Sequence, residues 1–135
     1  KKDNNPELII LYHHLWVHNE TGFIYPLEAL TQFKSIPDLY IHVDAVQSPG
    51  KIPEWQKLSA GDMWSYSAHK FGAFKGTGFT FIRNEVPYHP LFTGGGQQFR
   101  LRSGTENPMT AKIIALALED LLSVDIKETI KHREQ

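Results

Sequence analysis

The chain has 135 residues, 41% of them hydrophobic and 21% charged, the proportions of a folded domain and not of a disordered tail. Fourteen Lys and Arg against fifteen Asp and Glu leave a formal charge of −1, so no overall field draws it to nucleic acid or an anionic membrane, and no stretch reads as a membrane span. Cysteine is absent, which removes disulfides, thiolate metal sites and thiol nucleophiles from these residues.

The length suits one domain, residues 1–135. The chain opens on Lys1, Lys2, Asp3, Asn4, Asn5 and Pro6, with neither an initiator Met nor a signal pattern, and so reads as an internal piece of something longer. Leu8 to Val17 is an apolar run rich in Ile, Leu and aromatics, broken by His13 and His14, and it predicts a buried strand that ends at His18, Asn19 and Glu20. Thr21 and Gly22 form a turn. Pro26 fits the first position of a helix through about Ser35, with Leu27, Leu30 and Phe33 on one side. From Leu39 to Asp44 the side chains alternate with the period of a second strand, completing a β-α-β unit.

Pro49, Gly50 and Pro53 keep the next segment irregular, with a helical turn over Glu54 to Leu58. Met63 to Ser67 reads as a third strand, and Phe79 to Ile82, entered through Gly76 and Gly78, as a fourth. Tyr88 to Gln98, with Pro90 and the triplet Gly94 to Gly96, is loop. Asn107 offers an N-cap, Pro108 fits the next position, and Ala111 to Leu122 is an apolar-rich helix that needs a large surface to pack on. The charged end from Lys127 to Gln135 reads as a frayed helix or tail. The order of elements gives an α/β fold with a mostly parallel sheet and flanking helices.

In open α/β sheets, ligands bind beyond the carboxyl ends of the strands. Asn19 closes the first strand, Asp44 and Gln47 the second, and Ser67, His69 and Lys70 the third. This grouping suits a pyridine aldehyde phosphate. A lysine amine can bond the aldehyde, a carboxylate can keep the pyridine nitrogen protonated, and a hydroxyl with an imidazole can hold the phosphate. Two other patterns are weaker. His13, His14 and His18 cluster with Glu20, but adjacent strand residues face opposite sides and cannot share one ion. Gly94 to Gly96 lacks the Lys-Ser/Thr pair of a phosphate loop, and the glycines at 72, 76 and 78 are not in dinucleotide-binding order.

Four segments carry a wider likeness: Val-His-Asn-Glu-Thr-Gly (17–22), His-Val-Asp-Ala-Val-Gln-Ser (42–48), Ser-Ala-His-Lys-Phe-Gly (67–72), and Gly-Gly-Gly-Gln-Gln to Leu-Arg-Ser-Gly-Thr-Glu-Asn (94–107). In order and spacing, from about Leu8 to Leu122, they resemble the cysteine desulfurases of the class V aminotransferase group, which use pyridoxal 5'-phosphate. The resemblance implies part of the large domain of the fold type I transferases, with the small domain absent and the Phe79 to Ile82 strand antiparallel. It implies Lys70 as the Schiff-base lysine, Asp44 beside the pyridine nitrogen, and Gln47 on the phenolic oxygen. Ser67 and His69 would bind the phosphate, Asn19 the substrate carboxylate, and Thr105 the phosphate in the partner subunit of a homodimer.

The implied reaction takes sulfur from L-cysteine, leaving alanine, and passes it through an enzyme persulfide to a sulfur-acceptor protein, as in iron–sulfur cluster assembly in the cytoplasm. Three departures stand out. His18 replaces an asparagine, Trp16 a frequent histidine, and Ala73-Phe74 a Gly-Pro pair. With no cysteine present, the 135 residues alone are expected to be inactive and their cofactor site empty or weakly occupied. Selenocysteine lyases and other class V enzymes share the lysine and aspartate motifs. A cofactor-free assembly or dimerisation module, associating through uncovered sheet edges and helix faces, is the reading from another class.

Overall fold

A computed structural model describes residues 8–58 and 60–133; the opening Lys1 to Pro6 and the last two residues of the charged end lie outside the described residues. Strands β1 (Ile10–Leu15), β2 (Leu39–Asp44), β3 (Met63–Ser67) and β4 (Gly78–Ile82) are followed by helices α1 (Pro108–Ser123) and α2 (Ile126–Arg133). The strands form one sheet in the order β1-β2-β3-β4, the first three parallel and β4 antiparallel to β3. The mostly parallel sheet and its antiparallel fourth strand agree with the expected architecture.

Alternation along β2 and β3 gives the sheet two unlike faces. Ile41, Val43, Trp64 and Tyr66 point inward and are buried, while Tyr40, His42, Asp44, Met63, Ser65 and Ser67 point outward and are only partly covered. The inner face is closed by Leu27 and Leu30 of a short 3₁₀ helix, by Ile52, Trp55 and Ala60 of the β2–β3 connection, and by Ile114, Ala117, Leu118 and Leu121 of α1.

Parallel neighbours need a crossover, and residues 45–62 make it without a helix. The fully buried Ser48 donates its Oγ hydrogen to the Ala45 carbonyl at 2.9 Å, and the turn foreseen at Glu54 to Leu58 is a single hydrogen bond from Lys57 N to Glu54 O at 2.8 Å. Arg83, its guanidinium carbon 5.6 Å from the Trp64 ring centroid, ties the end of this connection down by donating to Leu58 O at 2.8 Å and Gly61 O at 3.2 Å. Asp62 then fixes the start of β3 against β2: its N–H donates to Ile41 O, and its Oδ2 accepts from Ile41 N, both at 2.8 Å.

Two expectations need correction. The first strand is shorter than Leu8 to Val17 and is not buried: Leu11 is 61% exposed, because β1 is a sheet edge and no described element covers its outer side chains. The helix expected from Pro26 is a 3₁₀ helix over Leu27–Phe33, since Pro26 itself stays extended (ψ 125°) and the Ile36-Pro37 pair stops the run. The long helix begins where the Asn107-Pro108 pair places it, at Pro108, with the Asn107 side chain accepting from Thr110 N at 3.2 Å as its cap. The charged end is the helix α2 as far as Arg133.

Replacing Asp62 by Ala strands the Ile41 amide at the start of β2, and unfolding in urea should show a loss of about 1–3 kcal/mol. Tyr66, stacked on Phe79 with centroids 4.7 Å apart, has its phenol pushed up to about 12 by burial. Because the unfolded phenol titrates near 10, that contribution to stability is whole below pH 10 and is lost as pH rises through about 12. Tyr66→Phe should flatten the alkaline fall in melting temperature over that interval while leaving the value at pH 7 nearly unchanged.

Candidate functional site

Because β1, β2 and β3 run the same way, their carboxyl ends make one edge of the sheet. Beyond β1 the chain turns sharply: His18 N donates to Phe23 O and Gly22 N to His18 O, both at 2.9 Å, with Gly22 in the left-handed region (φ 70°). Asn19 sits exposed at this turn. Beyond β2, Asp44 Oδ1 accepts from Val46 N at 3.0 Å, which fixes the carboxylate on its own turn and leaves Oδ2 for another donor. Gln47 is half-buried in the same turn.

Beyond β3, Ser67 Oγ and His69 Nδ1 meet at 3.0 Å. Lys70 lies in a one-turn 3₁₀ helix, Ala68–Phe71, closed by Gly72 in the left-handed region (φ 95°). The Lys70 carbonyl accepts from Lys51 Nζ at 2.9 Å, so the cation of the preceding connection pins the turn that carries the second lysine. The Lys70 amine itself is half-buried and has no hydrogen bond or ion pair among the described residues. Opposite Ser67 in register stands Gly78, where a Cβ would strike the Tyr66 carbonyl; glycine is what lets β4 start beside this edge.

The fold therefore brings Asp44, Gln47, Ser67, His69 and Lys70 to the ends of two adjacent strands, with Asn19 at the end of the third. Thr105 is different: it lies on the exposed loop before α1 and makes no hydrogen bond to the others. An open cleft lined by Pro90, Phe92, Thr93, Gly94 to Gly96 and Arg100 shares no residue with the strand-end group.

The sequence reading passed over two features. One is Lys51, whose signal is Gly50 before it, a left-handed residue (φ 67°) that swings the chain toward β3. The other is a polar row on the outer face: His13 Nδ1 meets His42 Nδ1 at 2.7 Å, and His42 Nε2 meets Ser65 Oγ at 2.8 Å. Burial, then the neighbouring His13, lower the His42 pKa, and Asp44 partly offsets this. His14 leaves β1 on the opposite face, edge-on to Tyr25; burial is also the main cause of its lowered pKa. His18 Nδ1 is taken by the amides of Glu20 and Thr21 at 3.3 Å, and among the described residues no group of three His, Asp or Glu is placed to hold a metal ion.

Comparison with known proteins gives the family. The model of the aminotransferase class-V family matches residues 4–135. The chain belongs to that family. Among curated members, it is 42% identical over 111 residues to a cysteine desulfurase of Sinorhizobium fredii, covering 82% of this chain and 28% of that one. The cysteine desulfurase NifS of Azotobacter vinelandii is 38% identical over 104 residues, 77% of this chain and 25% of the other. Among solved structures, a NifS-like protein superposes with a TM-score of 0.83 at 41% identity, over 92% of this chain and 34% of its own. DndA of Streptomyces lividans follows at 0.75 and 36%, over 84% and 34%. The chain thus spans between a quarter and about a third of the length of these class-V relatives.

Lys51→Met should leave the Lys70 carbonyl without its charged donor. In a class-V protein carrying this change, hydrogen exchange of the Ala68–Gly72 amides should quicken by about tenfold or more, the equivalent of one charge-assisted hydrogen bond, while exchange in β1 stays as it was.

Proposed function

We propose that these residues are part of the pyridoxal-phosphate-binding large domain of a cytoplasmic cysteine desulfurase that acts on L-cysteine as a homodimer. What carries the reading is the donor set at the strand ends: an anchored carboxylate with one free oxygen at 44, an unpaired amine at 70, and a hydroxyl–imidazole pair at 67 and 69. A pyridine aldehyde phosphate needs one group of each kind. The cofactor, when bound, supplies an electron sink for charge left on the substrate carbon.

The chain's own residues do the rest. Lys70 holds the cofactor covalently and carries protons to and from the substrate. Asp44, oriented by Val46 N, keeps a proton on the ring nitrogen, and Gln47 bonds the phenolic oxygen. Ser67 and His69 take the phosphate, and Asn19 takes the substrate carboxylate. Thr105 reaches the phosphate of the partner subunit, which fits its exposed place away from its own strand ends. Phe99 (95% exposed) and Leu91 (85%) flank the glycine triplet on that same loop, apolar surface suited to a subunit contact. The sulfur acceptor is a thiol outside these 135 residues, which contain no cysteine, and then an acceptor protein. A relative described as SspA in complex with cysteine, 31% identical with a TM-score of 0.69, supports the choice of substrate.

The full-length protein with pyridoxal phosphate should absorb in the visible and form alanine from L-cysteine. Lys70→Ala should abolish the absorbance and lower turnover by about a thousandfold or more. The 135 residues on their own should release no alanine in step with sulfide. Full-length protein that turns over selenocysteine but not cysteine would move the assignment to a selenocysteine lyase, and one that shows no absorbance at any cofactor concentration would leave an assembly module.

A further inference from the structure

On the outer face of the sheet the register sets His13 beside His42 and Asp44 beside Ser65, so the polar row His13–His42–Ser65 runs next to the carboxylate, with His42 and Asp44 about 7 Å apart along one strand face. Both ring nitrogens of His42 are engaged, one by His13 at 2.7 Å and one by Ser65 at 2.8 Å, and the two imidazoles lie nearly parallel with centroids 4.8 Å apart. A nitrogen–nitrogen contact that short needs one hydrogen and one lone pair. The row therefore closes with both rings neutral or with one extra proton, and opens with two. The groups facing His42 are His13 from β1, Tyr40 and Asp44 from its own strand, and Met63, Ser65 and Ser67 from β3; of these His13, Tyr40 and Asp44 titrate.

We infer that His42 is a positioning residue for Asp44: held neutral in the His13–His42–Ser65 row, it leaves the Asp44 charge to the ring nitrogen of the cofactor, and once protonated it draws that charge toward itself. The inference rests on the pyridoxal-phosphate reading above. Burial and His13 both favour the neutral imidazole, against the pull of Asp44. Acid thus places a second cation within reach of the one carboxylate that the ring cation needs, and cofactor affinity falls. Linkage makes the effect reciprocal: bound cofactor must disfavour the proton on His42.

The test is equilibrium binding of pyridoxal phosphate to the full-length apoprotein between pH 8 and pH 5.5. Wild type should lose about fivefold more affinity over this range than His42→Gln, which carries no titrating ring. Other pH-dependent groups, the phosphate included, are common to both and cancel in the comparison. In His13→Asn, which removes the repelling neighbour, the wild-type inflection should move to higher pH. Should His42→Gln not fold, NMR titration of the wild-type imidazoles serves instead: one midpoint must fall on loading, because a ring cation has arrived beside Asp44, whereas imidazoles beside the phosphate move the other way. Parallel affinity curves for wild type and His42→Gln, or no imidazole midpoint lowered by the cofactor, overturn the role of His42 alone. Absence of cofactor binding at every pH overturns the underlying assignment as well.

Discussion

The grip of Asp62 on both polar groups of Ile41 decides the register of β2 against β3, and the rest of the site follows from that register. A slip of one residue would turn Asp44 to the core face and Val43 to the outside. In the observed register Ile41, Val43, Trp64 and Tyr66 form the core, and the outward set carries the polar chemistry. The inward residues thus secure the sheet, and the outward ones sit on a rigid floor at its carboxyl edge. An aspartate at the opposite end of the strands from Asp44 is in this sense what places Asp44.

Around that floor, short local devices position the strand-end side chains. Asp44 is held by its own turn, Ser67 and His69 by each other, and the lysine turn by Lys51 from behind and by the left-handed Gly72 in front. Each device is a single hydrogen bond or a single torsion. The outer surface of the sheet, which carries His42, Asp44, Ser65 and Ser67, is only partly covered by the described residues.

Much of this was legible in the residues. The alternation in Leu39–Asp44 and Met63–Ser67 located both strands to the residue, and the polar groups after them fell where strand ends in such sheets gather ligands. The Asn107-Pro108 pair announced the start of α1. What failed has a common cause. An apolar run such as Ile10–Leu15 looks the same whether it lies inside a sheet or at its border, and only the pairing shows that β2 is its one neighbour among the described residues. The 3₁₀ form of Leu27–Phe33 depends on how two prolines bracket a short span. Lys51 and Ser65 escaped notice because their partners, Lys70 and His42, are 19 and 23 residues away and meet them only after folding. The direction of β4 came from family resemblance, since five residues of alternating character fit either sense.

Gly50 lets a methyl of Leu121 in α1 rest directly on the turn that follows Asp44, where an added Cβ would meet that methyl and where the left-handed torsion (φ 67°) itself favours glycine. The two positions are separated by roughly seventy residues of chain, a long-range closure of the kind that slows folding. During synthesis, then, the turn leading to Lys51 emerges from the ribosome well before the helix that will seat it. The turn that carries Lys51 therefore meets the helix that packs on it only once α1 has been made.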